Sequence, residues 1–85
     1  MKIKKFNGFS NVIGSNIRKY RNLRNLTQKQ LSDQLALLGV DIYSSDISLI
    51  ENQKLMIKDF EIIAFAKVLN VTYDMLLDVD DNIFD

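Results

Sequence analysis

The 85-residue chain has no cysteine, histidine, proline or tryptophan, and only three glycines. Without cysteine there is no disulfide and no thiolate metal site. Without histidine as well, the usual nucleophile–base pairs of covalent catalysis are missing. No G-x-G-x-x-G and no P-loop occurs. The acidic run Asp78, Val79, Asp80, Asp81 lacks the glycine and glutamate of a calcium loop and reads as a solvated tail. Carboxylates alone can support catalysis, but nothing marks a cleft for them. The expectation is therefore a protein that is not an enzyme and has no cofactor and no metal. No stretch approaches the roughly 18 apolar residues of a membrane helix, and no apolar segment of signal-peptide length follows Lys2, Lys4 and Lys5. A cytoplasmic protein with no membrane role is expected.

What is present suits a small helical domain. The hydrophobic fraction is 47%, too high for intrinsic disorder, and the shortage of proline and glycine favours helix over turn-rich β structure. One domain is expected, with a modest core. The net charge is zero but polarised: residues 1–32 carry eight bases and no acid, while residues 33–85 carry three bases and eleven acids. Such asymmetry points to one surface that meets an anion, or to a basic helix face that only keeps the protein soluble.

Residues 1–9, MKIKKFNGF, form a basic and aromatic arm ahead of any credible helix, loosened by Gly8. The arm either follows a DNA groove or backbone, or is a frayed terminus with an aromatic or two against the core; the second reading is preferred. The domain proper spans 10–78, and 79–85 is an acidic tail that carries Ile83 and Phe84. A first helix is expected from Ser10 or Asn11 to Arg24, with Ile13, Ile17 and Tyr20 on its inner face and Asn25 as a left-handed stop. Thr27 and Gln30 make a T-x-x-Q capping box for a second helix, striped by Leu31, Leu35 and Leu38 and stopped by Gly39. A third helix starts near Tyr43 or Ser44. A fourth covers Asp59–Leu69, with Ile62, Phe65, Ala66 and Leu69 inside and Phe60 and Ile63 widening the stripe. A fifth, Tyr73–Leu77, is capped by Thr72. Leu55, Met56 and Ile57 either close the core or form a contact surface.

Two helices joined by a glycine-containing turn are the helix-turn-helix arrangement, whose second helix can lie in a DNA major groove. The segments IGSNIRKYR, LTQKQLSDQL, DISLIENQK and AKVLNVTYDMLL also occur in an order that resembles the lambda-repressor-like (Cro/CI, XRE) regulators, over roughly Ile13–Leu77. The turn is longer than that family's commonest form, and Gln53 stands where a helix-ending glycine is usual. The resemblance implies an all-α, five-helix lambda-repressor-like bundle and a repressor-type regulator that binds double-stranded DNA as a homodimer. It further implies that Gln28 holds a backbone phosphate, that Lys54 and Lys58 approach the backbone, and that Arg21 pairs with Glu51 as a structural ion pair.

Setting Ile47 and Ile50 toward the core turns Ser45, Ser48, Leu49 and Asn52 outward, with Ser44 at the leading edge, on a recognition helix of about 44–52. Of these outward positions, Ser44, Ser45, Ser48 and Leu49 are the candidates for base reading. Arg18, Lys19, Gln28, Lys29, Lys54 and Lys58 are the candidates for phosphate binding, which makes affinity depend on salt. Serine discriminates bases poorly, so DNA shape would contribute to selection. Met75, Leu76 and the apolar tail are candidates for a dimer surface. The rival expectation is a protein-binding helix-turn-helix module, an antirepressor or antitoxin-like partner, that has lost DNA reading.

Overall fold

Four residues in the left-handed region separate the helices, and only one of the four is a glycine. The computed structural model describes residues 6–80 and contains five helices: α1 Gly14–Leu23, α2 Gln28–Leu37, α3 Ser44–Glu51, α4 Asp59–Leu69 and α5 Tyr73–Leu77. Among the described residues there is no strand beyond one isolated bridge between Phe6 and Phe9. The architecture is all-α. The basic residues Lys2, Lys4 and Lys5 and the apolar Ile83 and Phe84 lie outside the described residues.

Each of the first four helices ends in the same way. Asn25, Gly39, Gln53 and Asn70 adopt positive φ (56°, 80°, 62° and 54°). In each case the next residue donates back to a carbonyl of the last turn: Leu26 to Arg21, Val40 to Leu35, Lys54 to Leu49 and Val71 to Ala66, at 2.8–3.1 Å. These bonds satisfy carbonyls that the helix leaves unpaired, and at three of the four ends they tuck an apolar residue (Leu26, Val40 or Val71) against the core. Asparagine substitutes for glycine because its short polar side chain tolerates the left-handed region. Gln53 has no such excuse; its side chain offsets part of the strain by donating to the Asn11 carbonyl at 3.3 Å.

The helix starts follow the expected caps with one exception. Thr27 accepts from the Gln30 amide at 3.0 Å while Gln30 Oε1 accepts from the Thr27 amide at 2.8 Å, which completes the capping box of α2. Thr72 accepts from Met75 at the head of α5. Glu61 reaches back to the Lys58 amide at 2.7 Å to close the first turn of α4. α1, by contrast, begins at Gly14 rather than at Ser10 or Asn11. Asn11 Oδ1 accepts the Gly14 amide at 2.7 Å, so Asn11 stands outside the helix that it caps. Its Nδ2 donates to the carbonyls of Ile50 and Leu55 (3.0 and 2.8 Å), and this straps the entry of α1 to the exit of α3.

The described end of the arm, residues 6–9, is less loose than its glycine suggests. Asn7 and Gly8 both have positive φ, and Phe6 and Phe9 exchange two 2.8 Å backbone bonds across them. That is the two-residue turn favoured by Asn-Gly. Ser10 then donates to the Gln53 carbonyl at 2.9 Å.

The core gathers Ile13 just before α1 and Ile17 within it, Leu31 and Leu35 from α2, Ile42 from the connector, and Ile47 and Ile50 from α3. Ala64, Phe65, Ala66 and Leu69 of α4 and Leu76 of α5 complete it. Three expectations change here. Leu38 does not extend the inner stripe of α2; it lies just past the helix end and is exposed. Leu76 is fully buried, so it belongs to the core and not to a dimer surface. Phe60 and Ile63 do not widen the inner stripe of α4; they are 51% and 55% exposed. Ile57 packs on the core while Leu55 and Met56 stay at the surface.

α1 and α3 meet closely at Gly14. A Cβ there would lie 1.9 Å from the Ile50 carbonyl oxygen, which is backbone and cannot swing aside. Gly14→Ala should therefore lower stability by about 1–3 kcal/mol, the usual cost of forcing atoms into a packed site. Gln53→Gly should raise it by about 0.5–1 kcal/mol, because glycine relieves the left-handed strain. Urea unfolding of both variants, read by helical circular dichroism, checks the opposite signs.

Candidate nucleic-acid interface

Glu51 closes α3 and is only 2% exposed, the one buried charged side chain among the described residues. Its carboxylate is held from two other helices. Arg21 of α1 donates through Nε at 2.6 Å and Nη2 at 3.0 Å, and its Nη1 donates to the Leu26 carbonyl at 2.8 Å. Gln28, the first residue of α2, donates Nε2 to Glu51 Oε1 at 3.1 Å. Arg18 adds a longer Nε contact at 3.4 Å, and its Nη2 donates to Asn52 Oδ1 at 2.7 Å. Burial pushes the Glu51 carboxyl up, but the bonds from Arg21, Gln28 and Arg18 outweigh it and hold it below the ordinary carboxylate range. The same hydrogen bonds to Glu51, partly opposed by burial, raise the Arg21 guanidinium.

This arrangement fixes where α3 can point. Ile47 and Ile50 are buried beneath it, Ser45 is exposed, Ser44 and Ser48 are half-buried, and Leu49 is 41% exposed. Asn52 folds back to donate to the Ser48 carbonyl at 2.9 Å while holding Arg18. The connector from α2 is pinned by Ser32 Oγ donating to the Ile42 carbonyl at 2.6 Å. Tyr43, the residue before α3, is 72% exposed.

The residues expected to bind phosphate separate into groups. Arg18 and Gln28 come together at Glu51, and each already uses its polar head there. Lys29 pairs with Asp33 one turn along α2 at 2.5 Å, in an exposed ion pair. Lys19 turns the other way, with Nζ 5.3 Å from the Tyr20 ring centre, and Tyr20 itself lines a groove with Asp74 and Met75 of α5. Lys54 and Lys58 are exposed in the loop after α3, and Lys58 lies 5.8 Å from the Phe60 ring centre.

Asn11 and Tyr43 were not among the residues expected at the site, whereas Asn52 was expected on the outward face of α3. Asn11 had a legible signal, because an asparagine three residues before a glycine-led helix suits a cap. The bond between Asn52 and Arg18 had none, since the two lie 34 residues apart. Among the described residues no group of three or more Asp or Glu side chains is placed to hold a metal, and no helix is long and apolar enough to cross a membrane.

Removing the Glu51 carboxylate strands Arg21 in a largely buried position. Glu51→Ala should cost about 3–5 kcal/mol, as when one member of a buried pair is deleted. The pH dependence has a defined sign. The folded carboxyl titrates below its unfolded value of about 4.3, so its stabilisation is complete above that pH. It is lost as pH falls through the lower folded value. Stability measured from pH 7 to pH 2 should show this acid limb in the parent and a shallower one in Glu51→Gln. Protein-family models, curated proteins and solved structures give no match to this chain.

Proposed function

We propose that this protein is a lambda-repressor-like helix-turn-helix regulator that binds double-stranded DNA by laying α3 in the major groove. One observation carries the reading: Ser45 and Leu49 are open to solvent on the outer side of α3, while Glu51 locks the inner side to α1 and α2. A rod fixed on one face and uncovered on the other is what insertion between phosphate walls requires. Lys29 on α2 and Lys54 and Lys58 beyond α3 are the exposed cations closest to it in the chain, and they serve as phosphate contacts. Gln28 and Arg18 join them by keeping their bonds to Glu51 and offering their remaining N–H groups. Ser44, Ser45, Ser48 and Leu49 touch base edges, and Leu49 suits a thymine methyl. With no cation on α3 itself, much of the selection comes from DNA shape and from the backbone. A homodimer would read a twofold site.

A second reading is favoured by the same helix. Tyr43 and Leu49 are exposed apolar groups at either side of three serines, and Asp46 adds negative charge. That composition also suits a protein partner, in which case α3 docks on a protein and not on DNA.

Titration against generic duplex at low and high salt separates the two. The DNA reading expects binding at low salt that weakens steeply as salt rises. Lys54→Ala should weaken binding to all sequences alike and reduce the slope of log K against log salt by about 1. Gln28→Ala should act in the same direction, with some loss of stability through Glu51. Ser45→Ala should change which sites are recovered from a random duplex pool. No duplex binding at low salt by a folded protein would defeat this reading in favour of the second.

A further inference from the structure

From the outer face of α4 we infer that a second copy of this chain docks there, with the two α4 helices antiparallel about Ile63. The face is built for it. Stepping about 100° per residue, Asp59, Ile63, Lys67 and Phe60 fall within one arc of about 100°, opposite the side that buries Phe65 and Leu69. All four are exposed. Ile63 sits near the middle of the arc, with an acid and an aromatic toward the N-terminal end and a base toward the C-terminal end.

That order is self-complementary. A twofold axis at Ile63 brings the N-terminal end of one α4 over the C-terminal end of the other. Asp59 of each copy then approaches Lys67 of its mate, and neither residue has an ion-pair partner among the described residues. The same step carries Phe60 toward a groove at the C-terminal end, lined by Ile63, Ala66, Lys67, Val71 and Tyr73. Ala66 floors the groove and is small, and Tyr73 walls it with an exposed ring. A parallel pairing would instead set Asp59 against Asp59 and Lys67 against Lys67. Isologous contact through one self-complementary patch is the commonest way that two identical chains associate. The antiparallel arrangement also opposes the helix dipoles favourably.

This surface is independent of whether α3 meets DNA, so its test needs no nucleic acid. Sedimentation equilibrium of the full chain from 1 to 300 µM should show a reversible monomer–dimer equilibrium. Ile63→Asp should shift the midpoint at least tenfold toward monomer while helical circular dichroism stays unchanged. Asp59→Lys and Lys67→Asp should each weaken the dimer. The doubly reversed chain carrying both changes should recover it, as should an equal mixture of the two single variants. A parent that stays monomeric throughout, a dimer indifferent to Ile63→Asp, or a double reversal that fails to recover would each overturn the assignment.

Discussion

A single carboxylate, that of Glu51, sets the relation of three helices. It is buried at the end of α3 and takes hydrogen bonds from Arg21 of α1 and Gln28 at the start of α2. Taking a charged pair out of water costs several kcal/mol per ion, and the mutual attraction offsets that only when the geometry is good. Here it is good: two guanidinium bonds of 2.6 and 3.0 Å engage both carboxylate oxygens, and Gln28 adds a third donor. The gain is chiefly in specificity of arrangement. Isoleucines and leucines beneath α3 would tolerate a small rotation, but a planar fork on a carboxylate would not.

The same centre redistributes the charge. The first 32 residues hold eight bases and no acid, which suggests a broad cationic face. The fold engages part of that excess in bonds within the protein. Arg21 goes to Glu51 and Leu26, Arg24 donates to the carbonyls of Leu69 and Asn70, and Arg18 is shared between Glu51 and Asn52. These arginines hold helix ends in place, α4's last turn among them. Among the described residues of this segment the other bases, Lys19 and Lys29, are exposed lysines, and a lysine is a point charge suited to phosphates more than to directional base contacts. Net charge by segment therefore overstates what reaches an anion.

Local chemistry was legible in the sequence wherever it acts within one turn. The T-x-x-Q box, Thr72, and the left-handed stops at Asn25, Gly39 and Asn70 place α2, α4 and α5 at the expected residues. Long-range chemistry was not. The start of α1 moves to Gly14 because Asn11 bonds to Ile50 and Leu55 some forty residues on, which no window around Asn11 displays. On α4 the run Phe60, Ile62, Ile63, Phe65 is apolar nearly all round, so periodicity alone could not choose the buried side. The choice falls to packing: α1, α2 and α5 cover Phe65 and Leu69 and leave Phe60 and Ile63 outside. At the candidate interface the pattern on α3 correctly turned Ile47 and Ile50 inward, but it carried no sign that Arg18 and Gln28 would already have partners.

That packing also bears on how many partners the domain can take. A small domain cannot cover all its apolar surface, and scattered exposed leucines need no explanation. Leu23 and Leu37 are of that kind, each exposed at the far end of its helix. The α4 residues differ, since an aromatic, an aliphatic and two opposite charges share one arc beside a groove. α3 rests on α1 and α2, whereas α4 rests on α1, α2 and α5. The two outer faces belong to different helices and share no residue: Ser45 and Leu49 lie on α3, and Phe60, Ile63 and Lys67 on α4. Substitutions on one face therefore leave the other's side chains unchanged, and the two modes of association are separable by mutation.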